Sequence, residues 1–240
     1  MKIHIKYQPS YSLGVFDLDP NETVQVETGA MVSMTSNVEI ETQMKGGLMK
    51  AVTRSILGGE TLFVNNFTSR NGAGEITVAP SLPGDLHHMT LRGESVYIQS
   101  GSFLAANPEI ELNAKWGGAR TFFASEGLFL LRVSGSGDVL ISSYGAIHPV
   151  EVTPQRPYVV DTGHVVAFTQ GVDFDVRRVG GWKSTMLSGE GLVCEFRGQG
   201  QVLLQTRSTQ AFLSWLIPRL PKTTGGRGGG GGILGNLLRG

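Results

Sequence analysis

Gly163-His164-Val165-Val166-Ala167-Phe168, followed by Val172-Asp173-Phe174-Asp175-Val176, decides the fold because the same phrase occurs three times in the chain. The earlier copies are Gly101-Ser102-Phe103-Leu104-Ala105-Ala106 with Ile110-Glu111-Leu112, and Gly29-Ala30-Met31-Val32-Ser33-Met34 with Val38-Glu39-Ile40-Glu41. Each copy then passes a double glycine (Gly46-Gly47, Gly117-Gly118, Gly180-Gly181) and an apolar run (Leu62-Phe63-Val64, Leu128-Phe129-Leu130-Leu131, Leu192-Val193-Cys194). Each closes on Gly-x-Gly and another apolar run: Gly72-Ala73-Gly74 before Ile76-Thr77-Val78, Gly135-Ser136-Gly137 before Val139-Leu140-Ile141, and Gly198-Gln199-Gly200 before Val202-Leu203-Leu204. Short apolar runs broken about every eight to twelve residues by Gly, Pro, Asn or Asp predict an all-β sandwich or barrel. The leading glycine of each copy is expected to allow a bulge or a positive φ where the chain changes sheet. Each Gly-x-Gly is expected to form a tight hairpin.

The repeat sets the boundaries. Residues 1–79 are read as the first β repeat, 80–145 as the second and 146–207 as the third, with Pro80, Pro83, Gly84 and Asp85 at one join and His148, Pro149, Pro154 and Pro157 at the other. Two stretches break the β pattern. Residues 45–57 place Met49, Val52 and Ile56 on one helical face, with Lys45, Lys50 and Arg54 supplying positive charge. A C-terminal helix over 208–221 is predicted from Ser208 as N-cap, Phe212, Trp215 and Leu216 at helical spacing, and Pro218 as a stop. Residues 222–240 then form a glycine-rich flexible tail that ends in an apolar tip, Ile233, Leu234, Leu237 and Leu238.

Composition excludes several classes. The formal net charge is zero, so no global field draws nucleic acid or an anionic bilayer. A lone Cys194 rules out a disulfide framework and suits a reducing compartment. The alternating start Met1-Lys2-Ile3-His4-Ile5-Lys6 reads as a strand, and no run approaches the ~18 apolar residues of a spanning helix. The expectation is a cytoplasmic protein.

Catalytic patterns are sparse. His87 and His88 are adjacent on a predicted strand and point to opposite faces, so they cannot chelate one ion together. A metal site would need His148 or His164 to meet a carboxylate across the fold. Cys194 lies between Val193 and Glu195 without an indicated base. Gly135-Ser136-Gly137-Asp138 leads into a strand rather than a helix, so it offers no helix N-terminus to an anion. Arg177-Arg178 is the only basic doublet considered for RNA, and no row of basic and aromatic residues accompanies it. No metal, cofactor or nucleic acid is expected, and the chain is not read as an enzyme.

The triple phrase, the basic segment from Gly46-Gly47-Leu48-Met49-Lys50 to Leu57-Gly58-Gly59-Glu60, and the ending Thr206-Arg207, Ala211-Phe212 and Trp215-Leu216 together resemble the prokaryotic relatives of the fungal altered-inheritance-of-mitochondria biogenesis protein family. The resemblance covers residues 1–221. It implies a fold like the tryptophan RNA-binding attenuation protein: three double-stranded β-helix or jelly-roll-like modules around a pseudo-threefold, with one or two short helices. It implies no established enzymatic activity. The leading functional reading is a binding or scaffold protein that meets a membrane surface or a protein partner through residues 45–57 and the C-terminal tip. The alternative is a ligand-binding protein or enzyme with a pocket between β modules, for which Glu60, Glu126 and Glu190 are the candidate inward carboxylates. Sheet edges left at the module joins predict self-association into a homo-oligomer, with a trimer favoured.

Overall fold

The computed structural model describes residues 1–41, 64–113, 130–178 and 192–221. Contacts divide the chain into a body, Met1–Ser208, and a second unit from Thr209 onward. Among the described residues the body is mostly β, as its sequence pattern predicts. Its strands are β1 (Lys2–Lys6), β2 (Leu13–Leu18), β3 (Thr23–Glu27), β4 (Met31–Met34), β5 (Val38–Glu41), β6 (Val64–Ser69), β7 (Gly74–Val78), β8 (Leu86–Gln99) and β9 (Phe103–Ala106). They continue as β10 (Glu111–Asn113), β11 (Leu130–Ser142), β12 (Ile147–Val152), β13 (Tyr158–Asp161), β14 (Val165–Thr169), β15 (Val172–Arg178), β16 (Leu192–Gly198) and β17 (Gly200–Gln205). The second unit contains α1 (Thr209–Leu216), followed by a 3-10 turn at Ile217–Arg219 that holds Pro218.

Among the described residues these strands form three sheets. One has the order β1-β2-β7-β4, one runs β12-β17-β14-β8-β11-β9-β3-β6-β5 with β10 attached to β11, and one is β13-β16-β15. All the strand pairs are antiparallel. The long sheet is continuous because β9 bridges β11 and β3, and β14 bridges β17 and β8.

The bridging strands read as unbroken apolar runs because both of their faces are covered. Alternate side chains leave a strand on opposite sides, so one strand can serve two cores. Phe103 and Ala106 pack in one cluster with Ile98, Leu131 and Val139, while Leu104 and Ala105 join a second with Phe16, Val24 and Ile76. Val165 and Phe168 pack in a third cluster with Cys194, Phe196 and Val202, while Val166 and Ala167 join the first. Phe168 sits at the centre of an aromatic group, 5.1 Å from Tyr97, 5.2 Å from Phe174 and 5.4 Å from Phe196 between ring centroids. Rings at such separations attract beyond simple area burial.

Two glycine expectations are corrected by the backbone. Gly-x-Gly does not close a hairpin. β6 and β7 lie in different sheets, as do β16 and β17, so Gly72–Gly74 and Gly198–Gly200 are corners where the chain crosses from one layer to the other. Gly135-Ser136-Gly137 lies inside β11, at a register irregularity between Ser134 and Ser136. The leading glycine marks a change of sheet at Gly29 (β3 to β4) and Gly163 (β13 to β14), whereas Gly101 joins β8 to β9 within the long sheet, and the backbone turns by two different routes. Gly29 has φ +90°, whereas Gly101 and Gly163 sit in 3-10 turns at Ser100–Ser102 and Thr162–His164. The Asp161 side chain holds the last of these turns by accepting a hydrogen bond from the Gly163 N–H at 2.8 Å.

Candidate functional site

The residues singled out for a membrane or partner contact lie outside the described residues: Lys45, Met49, Lys50, Val52, Arg54 and Ile56, and the tip Ile233, Leu234, Leu237 and Leu238. The same holds for Glu60, Glu126 and Glu190. The site therefore has to be built from what the strands and α1 expose.

The histidines disperse. His4 Nε2 lies 3.2 Å from Asp17 Oδ2 on the paired strand β2. His164 Nδ1 lies 2.7 Å from the backbone oxygen of Gln205, which ties the 3-10 turn to the end of β17. His148 stands on the edge strand β12, opposite Leu204. His87 and His88 face different surroundings, as adjacent strand positions must. Among the described residues no group of three His, Cys, Asp or Glu side chains could hold a metal ion.

One polar cluster resembles catalytic machinery. His88 Nε2 lies 2.9 Å from Asp138 Oδ1, and the Thr90 hydroxyl donates to the same oxygen at 2.7 Å. Burial pushes the Asp138 carboxyl up, but the hydrogen bonds from Thr90 and His88 and the nearby His88 charge outweigh it, leaving its pKa below the usual value. The wiring is wrong for nucleophilic catalysis. A triad needs the imidazole between hydroxyl and carboxylate, whereas here the carboxylate stands between the other two. The cluster instead ties β8 to β11, and Asn107 Oδ1 adds an acceptor for the Asp138 N–H at 2.6 Å.

Where β14 meets β8 there is an open groove of about 380 Å³. Met89, Phe168 and Leu203 give it an apolar floor, with His87, Glu94 and Gln201 on its rim. Burial lowers the His87 pKa most strongly; Asp85 works against this and His88 adds to it, so the ring stays neutral more readily than usual.

Exposed apolar surface gathers on two elements. In the body β4 has Met31 38%, Val32 58% and Met34 38% exposed, and Val159 on β13 is 50% exposed, beside the scattered Tyr7, Tyr11 and Ile40. In the second unit it is α1 and the turn after it, where Phe212, Leu213, Trp215, Ile217 and Leu220 are all exposed. Phe212 stacks with Trp215 at 6.3 Å, and the Arg219 guanidinium lies over the Trp215 ring at 4.8 Å. An amphipathic apolar patch with a cation over its tryptophan combines the features of interfacial segments. The sequence reading marked Phe212, Trp215 and Leu216 only as helix periodicity. Of these Phe212 and Trp215 are exposed and Leu216 is only partly so, which the pattern does not reveal, because periodicity tells which residues share a face but not whether that face is covered.

Residues 3–207 match the family model described as mitochondrial biogenesis AIM24. An uncharacterised protein of Streptococcus pyogenes serotype M6 is 28% identical over 232 residues, covering 93% of each chain. A crystal structure of a Streptococcus pyogenes protein superposes with a TM-score of 0.75 at 28% identity, over 91% of this chain and 99% of the other.

Proposed function

Because the chain belongs to the mitochondrial biogenesis AIM24 family, we propose that it is a non-enzymatic scaffold whose β body carries an apolar C-terminal segment to a membrane surface. The observation that carries this reading is the exposed set Phe212, Leu213, Trp215, Ile217 and Leu220, with Arg219 against Trp215. Among the described residues no helix is long and apolar enough to cross a bilayer. A short apolar patch with adjacent positive charge suits attachment to the surface of one.

In this reading the body is three β modules with the fold of the tryptophan RNA-binding attenuation protein, arranged about a pseudo-threefold in a cytoplasmic homo-oligomer, with a trimer favoured. The matched strand partners of β9 and β14 support the repetition. The basic segment with Lys45, Lys50 and Arg54 adds about 1 kcal/mol per residue near an anionic leaflet. Burying the tip residues Ile233, Leu234, Leu237 and Leu238 yields on the order of 6–10 kcal/mol gross. Ordering about six tail residues offsets most of that, at roughly 1–2 kcal/mol each. Contact thus needs the helix, tail and basic segment together.

The test is flotation with anionic liposomes. The intact chain is expected to float, a truncation after Lys222 to float weakly, and a Lys45/Lys50/Arg54 charge-removal variant to float less than the parent and to lose the rest in high salt. Equal flotation of all three, or of none, overturns the membrane reading. Capture of one defined protein through the same segment would replace it with a protein partner.

A second reading has its own observation, the groove between β8 and β14 with His87, Glu94 and Gln201 around an apolar floor. It makes the body a binder of a small, mainly apolar ligand at a module junction. Mass spectrometry of material co-purifying with the native protein tests it. A stoichiometric small molecule lost on Phe168→Ala, with the fold retained, is the expected result.

A further inference from the structure

The same junction occurs twice within the body. Counted from Gly101 and Gly163, the fifth residue onward (Ala106, Phe168) lies opposite the fourth residue before the preceding glycine (Gln25, Tyr97). The fourth onward (Ala105, Ala167) lies opposite the third before (Val26, Ile98). Each junction also sends three side chains into the neighbouring core: Leu104, Ala105 and Leu140 at one, and Val166, Ala167 and Leu203 at the other.

A third set of these positions has no junction. β4 follows Gly29 as β9 follows Gly101, yet among the described residues it pairs with β7 alone. β13 precedes Gly163 as β3 precedes Gly29, yet it pairs with β16 alone. β9 is buried throughout and Val165 to Phe168 are at most 1% exposed, while all four residues of β4 are exposed. The three positions corresponding to Leu104, Ala105 and Leu140 are Val32, Ser33 and Thr77. Val32 is 58% exposed, and Ser33 and Thr77 hydrogen-bond to each other at 2.7 Å, so their hydroxyls are satisfied before anything covers them.

The edges differ in how they are guarded. Natural sheets block edge-to-edge pairing with charge or proline. β1 carries Lys2 and Lys6, β5 carries Glu39 and Glu41, β10 carries Glu111, β12 carries Pro149 and Glu151, and β15 carries Asp173, Asp175 and Arg177. β4 has no charged residue at all. β13 has only Asp161 at its end, already engaged with the Gly163 N–H. The two unguarded edges are the two that the repeated junction leaves unpaired.

We propose that β4 of one copy pairs antiparallel with β13 of a second copy, with Ser33 opposite Val160, Met34 opposite Val159 and Thr35 opposite Tyr158. This rests on the repetition of modules in the reading above but not on its pseudo-threefold, which would bring β13 to β4 of the same chain; among the described residues those two strands do not pair. The contact is head-to-tail, so each copy uses two different edges and successive copies add in one direction until a ring closes.

The experiment pairs cysteine cross-linking with hydrogen exchange on the full chain. Met34→Cys and Val159→Cys variants, each with Cys194→Ala, are oxidised separately and mixed. A disulfide dimer is expected only in the mixture, since opposed strand positions come within bridging distance. The double-cysteine chain is expected to give covalent multimers that reduction dissolves. Met34→Lys, folded by circular dichroism, is expected to show the mass of a single chain in light scattering. Dimers from Met34→Cys alone, an internal disulfide in the double variant, or an unlinked mixture with a single-chain mass would each overturn the pairing. Hydrogen exchange separates this outcome from failure of the modules. Slow amides in β9 and β14 with fast ones in β4 and β13 would sink the contact but keep the repeat, and fast amides in all four would sink both.

Discussion

At the scale of single residues, Glu27 ends β3, opposite Val64, where its half-buried carboxyl has lost much of its hydration. Desolvation raises its pKa from 4.5 to about 7. A raised carboxyl pKa means that between about 4.5 and 7 the folded chain holds a proton the unfolded chain has released. Stability therefore falls as pH climbs through that window and levels off above it. Glu27→Gln removes the titration, and Gln99 already stands two residues before Gly101 as Glu27 stands before Gly29. In urea unfolding the variant is expected to exceed the parent at pH 8, by no more than about 3 kcal/mol, and to match it near pH 4.5. An equal gain at both pH values would show that the charge is not the cause. Nothing in Val26-Glu27-Thr28 announces this, because alternation places a glutamate at a strand end without revealing what closes over it. The histidines were legible to a greater extent. Opposed orientations for His87 and His88 follow from strand geometry alone, while the His88–Asp138–Thr90 knot depends on a register between β8 and β11 that the sequence does not disclose.

Among elements, the strands were legible from spacing and the corners were misjudged. A tight hairpin and a crossing between sheets both need small residues with positive φ, so Gly-x-Gly reads the same for either, and only the long-range partners of the flanking strands decide. Gly198 shows what its corner requires. Its φ is +99°, and a Cβ there would lie 2.5 Å from the Gly171 carbonyl oxygen. Gly29 has a similar φ of +90° with open space around it. Gly29→Ala is thus expected to cost only the backbone strain, roughly 1–2 kcal/mol. Gly198→Ala adds a clash with fixed backbone and is expected to cost more than Gly29→Ala in the same denaturation series. Equal costs would mean that the corner relaxes. The leading glycines were read as one device, yet the structure uses a positive φ at Gly29 and 3-10 turns at Gly101 and Gly163. What the three share is a sharp turn between two strands, which changes sheet at Gly29 and Gly163 but not at Gly101, and the way it is made depends on what packs beside it. At Gly163 an added Cβ would come within 2.7 Å of the Ser208 hydroxyl.

For the whole molecule, strands that serve two cores at once join the three cores of the described residues, so the loss of one core is expected to carry the others with it. Leu140 leaves β11 toward the cluster around Phe16, while Val139 and Ile141 leave it toward the cluster around Ile98. Leu140→Ala is therefore expected to cost about 2–5 kcal/mol and to lower one shared transition, with far-UV and near-UV circular dichroism reporting the same midpoint. Separate midpoints for the two probes would mean that the cores melt independently. Association adds a second signature. If β4 of one copy is covered by β13 of the next, unfolding releases copies from one another, and the midpoint must rise with protein concentration. Met34→Lys places a charge at the contact and is expected to abolish that concentration dependence. Met34 lies outside all three core clusters, so the variant's midpoint should approach that of the parent at high dilution. A midpoint well below it would place Met34 in the fold of the single chain. A parent midpoint that does not move across a hundredfold range of concentration would leave β4 an exposed edge in solution.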